Sequence, residues 1–365
     1  MLGMDVQSVP IFTQPRKARP REKVFAGMSF VTARDVPTPI GERTCGARPV
    51  HEWRFERLAA CPICEHVEAS TVVQRMVRGL PLEFSKCGRC STIYQNPRLT
   101  RDSLADYFSS DVFINDTEGD LDEFLGYLDY FDWDKSYKRT ARLRLERILK
   151  FKKPPADLLE IGTATGSFLD SARSFGFRVR GLDLSATFAE IARKRHSLEI
   201  DVNYIEEASL PSSHYDVVCN FGGIACWRDP IRALTNIHRS LKSDGIFVMN
   251  YFNVDSLPAR ILGDRHFEYN HASLIIFSKR TMRRCLDQTG FEAVYSQNER
   301  QYASLGRIVG YLKQKLALRT LRALRVDSLT IPIIVPGTVF SICRKRLSSN
   351  GRFSSSGGWT DCGYA

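Results

Sequence analysis

The segment Leu158-Leu159-Glu160-Ile161-Gly162-Thr163-Ala164-Thr165-Gly166-Ser167 constrains the fold more than any other. It reads as a buried strand that runs into a glycine turn and then a helix. Seventeen residues past Gly166, a second apolar run ends in Asp183. A strand, a glycine-rich turn and an acid at the tip of the next strand outline a nucleotide-type pocket.

The details narrow the nucleotide. A dinucleotide fingerprint needs glycine at 162, 164 and 167. Gly162, Ala164 and Ser167 stand there, so two of the three positions fail. The pattern is instead acid-x-Gly-x-x-x-Gly. Its acid, Glu160, would repel a pyrophosphate and welcome a cation. S-adenosylmethionine carries a sulfonium and an ammonium and no phosphate, so it fits this turn. Gly162 and Gly166 let the backbone approach a ligand closely, with Thr163 and Ala164 between them. Asp183, followed by Leu184, is placed to accept from both ribose hydroxyls. The plainer alternative is an ordinary strand–turn–helix with chance glycines.

Further pocket residues follow from the alternation of elements. Glu206, after the third strand, is the candidate to accept from an adenine amino group, with the backbone N–H of Glu207 facing the ring; a solvated acidic loop is the alternative. Tyr215 to Phe221 reads as the fourth strand, whose end at Asn220 should face the methionine part. No Pro-Pro-Tyr or Pro-Pro-Phe follows it. The absence of that clamp for planar amino groups counts against a base-amino methylase.

Upstream, Cys61-Pro62-Ile63-Cys64 and Cys87-Gly88-Arg89-Cys90 have the paired spacing of a structural Zn2+ site. A two-residue gap lets both thiolates of a pair face one metal. Four thiolates leave no position for water, so the site reads as structural rather than catalytic. The 22 residues between the pairs alternate like strands, as in Thr71-Val72-Val73 and Leu82-Glu83-Phe84. The other six of the ten cysteines are scattered. That is no disulfide framework; reduced thiols and a metal suit it better.

Charge is uneven. Residues 1–60 carry ten Lys/Arg and six Asp/Glu, residues 303–348 carry nine and one, and residues 61–302 are close to neutral. A broad phosphate-binding face on the body is therefore not expected, and nucleic acid is a disfavoured partner. No apolar run approaches the ~20 residues needed to span a bilayer, and the N-terminus lacks the continuous apolar core of a secretory signal, so a cytoplasmic protein is expected.

The expected organisation is a disordered basic segment at 1–56, a zinc ribbon at 57–100 and a helical connector at 101–152. A doubly wound, seven-stranded, Rossmann-like α/β domain follows at 153–348, then a disordered tail at 349–365. Strands are expected at 157–161, 178–183, 200–204, 215–221, 245–251, 291–297 and 337–345. Helices are expected at 135–151, 166–175, 186–196, 230–242 and 279–289. A basic helical insertion is expected at 303–326, either as a lid over the acceptor or as a peripheral contact with an anionic membrane.

These residues together resemble the class I S-adenosylmethionine-dependent methyltransferases, in the group with an N-terminal zinc ribbon found with sugar, polysaccharide or polyketide-type pathways. The similarity runs over about 57–346. It includes Gly88 through Arg98, Glu160 to Gly166, Asp183, Leu210-Pro211, Tyr215 to Val218, Asp229-Pro230, Asn253 to Leu257, Phe277-Ser278 and Thr289 to Glu292. It implies methyl transfer to oxygen or carbon of a small molecule such as a sugar or sugar nucleotide. The alternatives are a zinc-ribbon RNA methyltransferase and a catalytically weakened cofactor-binding protein. The chain departs from many relatives after strand four, where Gly222, Ala225 and Cys226 stand at the usual polar positions and the usual histidine is missing. A base is needed only for a hydroxyl or carbon acceptor. The candidates are His271, then His266 and Tyr269, with packing residues as the alternative reading.

Overall fold

The structure, a computed structural model, describes residues 50–77, 79–110, 113, 134–305, 324 and 329–346. It opens with a short strand, β1 (Phe55–Glu56), and a hairpin, β2 (Ala69–Val77) and β3 (Leu80–Cys87). Two short strands follow, β4 (Ile93–Gln95) and β5 (Arg98–Leu99), then helices α1 (Arg101–Ser109) and α2 (Asp134–Ile148). Alternating strands and helices make up the body: β6 (Asp157–Ile161), α3 (Ser167–Ser174), β7 (Arg178–Asp183), α4 (Ala186–His196), β8 (Ile200–Val202), β9 (Tyr215–Phe221), α5 (Pro230–Ser240) and β10 (Leu241–Phe252). The chain continues through α6 (Leu257–Leu262), β11 (Ile275–Ile276), α7 (Lys279–Gln288), β12 (Phe291–Ser304) and β13 (Thr330–Lys345).

The large sheet has the order β12-β13-β10-β9-β6-β7-β8. Its strands from β8 to β10 pair in parallel, while β13 runs antiparallel to both β10 and β12. The strands alternate apolar residues between two faces, as a sheet covered on both sides requires. Leu158, Val217, Ile246 and Val248 point into one core with α2, α3 and α4. Leu159, Val218, Phe247 and Met249 point into the other, with α5 and α7. The order turns back between β6 and β9, and in open α/β sheets that crevice at the strand C-termini is where ligands bind.

The cysteine-paired unit is not a bead on a string. Trp53, Ile63, Tyr94, Leu99 and Leu104 share one continuous core with the second face of the large sheet. Its own sheet has the order β11-β4-β3-β2, so a strand from the α/β body completes it: Ile275 pairs with Tyr94 and Ile276 with Ile93.

Several boundaries differ from expectation. Residues 50–56, read as part of a disordered segment, are ordered: Trp53 is buried and β1 pairs with β5. The cause is burial and charge pairing. Trp53 packs edge-on against Tyr107, and Glu56 accepts from Arg98 and Arg228. β12 and β13 form a longer hairpin than the pattern suggested, pairing as far as Ser304 with Thr330. Ala303 and Ser304 are thus strand rather than the start of a helical insertion, and 306–323 lies outside the described residues. So do 1–49, most of the 111–133 connector, and 347–365. Among the described residues no helix is long and apolar enough to cross a membrane.

Candidate cofactor and acceptor site

The turn after β6 builds a ligand cradle. Gly162 sits at φ +75°, and a Cβ there would meet nothing nearer than Asn220 Nδ2 at 3.7 Å. Ala164 is held at φ +45°, an unusual conformation for a residue with a side chain. Its N–H donates to Asp183 Oδ2 at 2.9 Å, and the Thr163 hydroxyl donates to the same oxygen at 3.3 Å. Ser185 N–H donates to Asp183 Oδ1 at 2.8 Å. The acid at the tip of β7 therefore fastens the turn to its neighbour. Burial raises the Asp183 pKa, against these donors. Leu184 follows it, partly buried and packed on the domain core.

Two acceptors at the ends of adjacent strands have no protein partner. Glu160, on β6, is buried, and its Oε2 is unpartnered. Asn220, on β9, donates from Nδ2 to Ile161 O at 2.9 Å, leaving Oδ1 buried and unpartnered. Burial drives the Glu160 pKa well above the usual carboxylate range. Orphaned buried acceptors are costly unless a ligand supplies donors. A cofactor with an ammonium and a ribose meets that demand, and the open space over Gly162 admits it, so the residues fit S-adenosylmethionine.

Gly166 also has a packing task. It caps α3 at φ +80°, and a Cβ there would lie 2.7 Å from Leu198 Cδ1 and 3.0 Å from Ala192 Cβ. Its missing side chain admits α4 and the residues after it. Glu206 is also redirected. Its Oε1 accepts from Arg228 N at 2.7 Å and Asp229 N at 3.1 Å, tying the loop after β8 to the start of α5. Glu207 is engaged in a two-point pair with Arg101, at 3.0 and 2.6 Å. That pair docks α1 across the loop after β8, and Ser109 at the far end of α1 meets Ser185 and Thr187.

The loop after β9 and the segment 263–277, where the acceptor is expected, are tied into the rest of the fold. Gly222 N–H donates to Asn250 Oδ1 at 2.6 Å, Asn250 Nδ2 to Glu299 at 3.2 Å, and Arg144 to Glu299 at 3.1 Å. Leu274 N–H donates to Ala225 O and its carbonyl accepts from Gln95 N–H, at 2.8 and 2.9 Å. The altered loop, the segment and the cysteine-paired unit are thus bonded in series. Arg75 on β2 adds a bond to Tyr269 O at 2.7 Å.

The three base candidates fall in unlike places. Tyr269 packs its ring edge-on against Phe84 at 5.1 Å within the core between β2, β3 and β11, and burial raises its pKa; the structure gives it a packing role. His266 is sandwiched by Phe252 and Phe267, each at 4.2 Å, and its Nδ1 accepts from Glu268 N–H. Burial lowers its pKa to about 4, so near neutral pH it is an uncharged ring with its basic nitrogen occupied. His271 is buried between the two units, with Nε2 3.3 Å from Pro81 O and its ring near Phe55 and Tyr107. A carbonyl at Nε2 favours the tautomer protonated there.

The sequence reading passed over Glu268. It is partly buried, accepts from the Ser273 hydroxyl at 3.3 Å, and burial raises its pKa to about 7. Cys226 sits within its field and that of Asp183: burial first, then these two carboxyls, push its thiol far up, so Cys226 is inert as a nucleophile. Only burial, which a linear sequence does not display, marks Glu268.

Cys61, Cys64, Cys87 and Cys90 bring their sulfurs within 4.8 Å of one another, with Cys61–Cys90 at 3.5 Å and Cys64–Cys87 at 3.6 Å. Tetrahedral thiolates at ~2.3 Å from a metal lie about 3.8 Å apart. The donor set therefore fits zinc.

Residues 133–296 match the family model described as a methyltransferase domain. The match takes in β6 through α7, so the α/β body is methyltransferase-like. The chain is also 30% identical over 139 residues to an uncharacterized protein of Methanocaldococcus jannaschii. That match covers 36% of this chain and about half, 54%, of the archaeal protein. Among solved structures, a SAM-dependent methyltransferase from Thermotoga maritima is similar at 19% identity and TM-score 0.42, covering 60% of this chain and 95% of that one. A Mesorhizobium loti S-adenosylmethionine-dependent methyltransferase is similar at 14% and 0.40, covering 56% and 98%. The strand order and the family match, rather than these scores, carry the assignment.

Proposed function

We propose that the chain transfers a methyl group from S-adenosylmethionine to oxygen or carbon of a small molecule such as a sugar or sugar nucleotide, and that Cys61, Cys64, Cys87 and Cys90 hold a structural zinc. The observation that carries the cofactor reading is the pair of orphaned acceptors, Glu160 Oε2 and Asn220 Oδ1, beside the open face of Gly162. When bound, the cofactor supplies a methyl on a positively charged sulfur. The protein's part is to orient the acceptor in line and exclude water.

In this reading Asp183 holds the ribose, and Glu160 with Asn220 faces the ammonium. For a hydroxyl acceptor, Glu268 or His271 takes the proton. The near-neutral body and the missing amino-base clamp favour a small acceptor over RNA. The four-cysteine unit supports the reading by holding the acceptor wall at Leu274 and Tyr269.

Incubation with methyl-tritiated S-adenosylmethionine and panels of sugars, sugar nucleotides, phenols and transfer RNA tests this. Label is expected in a small hydroxylated acceptor. Label in RNA overturns the small-molecule reading. Cofactor binding without transfer to any acceptor favours the weakened form that Gly222, Ala225 and Cys226 suggest.

A further inference from the structure

Glu299 on β12 is buried, with its side chain 1% exposed. A buried carboxylate is costly unless it is paired and hydrogen-bonded, and this one is both. Its Oε1 accepts from Arg144 Nε on α2 at 3.1 Å. Its Oε2 accepts from Asn250 Nδ2, near the end of β10, at 3.2 Å. The register of β12 against β13 shifts between Asn298 and Arg300, at Glu299 itself. Such irregularities recur next to active sites.

The consequence runs through Asn250. With Nδ2 turned to the carboxylate, its Oδ1 faces Gly222 N–H and accepts from it at 2.6 Å. Gly222 stands at φ +79°, a backbone that favours glycine, and Gly223 follows directly. A Cβ on Gly223 would lie 2.7 Å from Asn220 Nδ2, so the turn rests on the Asn220 amide. That amide donates from Nδ2 to Ile161 O, and its Oδ1 is the buried acceptor without a protein partner. Arg144 serves the same neighbourhood. Its guanidinium lies over the ring of Phe221, the residue between Asn220 and Gly222, at 4.1 Å. Burial raises the Glu160 pKa, and the Arg144 charge works against that rise.

We propose that Glu299 is a positioning residue for the cofactor site. It fixes which way round the Asn250 amide sits. The amide anchors the Gly222-Gly223 turn, and the turn holds Asn220 with its carbonyl left for the ligand. The identity of that ligand rests on the S-adenosylmethionine reading; the relay from Glu299 to Gly222 does not.

The test exchanges the acid and the amide. Glu299→Gln keeps the volume but offers one oxygen to two donors, Arg144 and Asn250. With that oxygen on Arg144, the new NH2 faces Asn250. Asn250 then turns its oxygen to the new NH2 and its own NH2 to Gly222 N–H, and the turn loses its anchor. Adding Asn250→Asp gives both donors an acceptor again and conserves the charge beside Arg144. Amide exchange at Gly222 and calorimetric titration of S-adenosylhomocysteine are read on the full chain, below each protein's melting transition. Glu299→Gln is expected to speed exchange at Gly222 and to weaken S-adenosylhomocysteine, each by roughly tenfold, with exchange at Val218 and Val248 in mid-sheet unchanged. The double variant should recover most of both losses, which a role in packing alone does not predict. Native affinity or native exchange at Gly222 in Glu299→Gln overturns the proposal, as does a double variant no better than the single one. If Glu299→Gln does not fold, a double variant that folds and binds supports the proposal, and one that does neither overturns it. A wild type that ignores S-adenosylhomocysteine, with exchange at Gly222 lost and restored as described, upholds the relay and counts against the cofactor reading instead.

Discussion

Gly162 and Gly166 look alike in the sequence, and the structure separates them. Replacing Gly166 with alanine places a Cβ 2.7 Å from Leu198 Cδ1 and 3.0 Å from Ala192 Cβ, at φ +80°. The left-handed backbone costs an L-residue about 1–2 kcal/mol, and forcing a methyl into a packed contact costs about 1–3 kcal/mol. The expected loss is therefore about 2–5 kcal/mol. Gly162→Ala has the first cost only, since its nearest neighbour, Asn220 Nδ2, lies at an ordinary 3.7 Å. Its new methyl instead enters the cofactor cradle. Urea unfolding followed by circular dichroism, with calorimetric titration of S-adenosylhomocysteine, reads both effects. Gly166→Ala should be the less stable protein and Gly162→Ala the weaker binder. A Gly166→Ala protein of near-native stability with lost cofactor affinity would refute this division.

Two further outcomes test the acceptor side. Purified protein should carry about one zinc per chain by elemental analysis, and Cys61→Ser should lose it and speed amide exchange at Ile275 and Ile276, which pair with Ile93 and Tyr94; metal-free protein with native exchange contradicts this. Glu268 should titrate near pH 7, above the usual ~4.3. A base must be ionised, so activity dependent on it rises with pH through about 7. A raised carboxyl favours the protonated fold, so its contribution to stability is intact below about 4.3 and is lost as pH rises toward 7. Carbon NMR of labelled glutamate should show this titration and lose it in Glu268→Gln; carboxyls that all titrate below about pH 5.5 would contradict it.

The body of the fold was legible because burial on both sheet faces writes continuous apolar runs between turn residues. β6, β7 and β9 have the expected ends at Asp157–Ile161, Arg178–Asp183 and Tyr215–Phe221. The cysteine cluster was legible from its spacing. The join between the two units was not. β11 is two residues long and pairs with a strand some 180 positions away, so no local period marks it. The bonds from Arg228 and Asp229 N–H to Glu206 could not be read from the sequence, because these residues become its neighbours only through the fold. Tyr269 read as a base for the same reason: its partner Phe84 belongs to the other unit.

The central claim is that the turn after β6 and the tip of β7 bind a cationic adenosyl cofactor. Isothermal titration of the wild type and Asp183→Ala with S-adenosylmethionine, and of the wild type with NAD+, addresses it directly. One S-adenosylmethionine per chain is expected, with no measurable NAD+ binding. Loss of the Asp183 carboxylate removes hydrogen bonds to a charged group, worth about 1.5–3 kcal/mol each, so affinity should fall by at least about tenfold. A wild type that ignores S-adenosylmethionine, or binds NAD+ as well, would contradict the account.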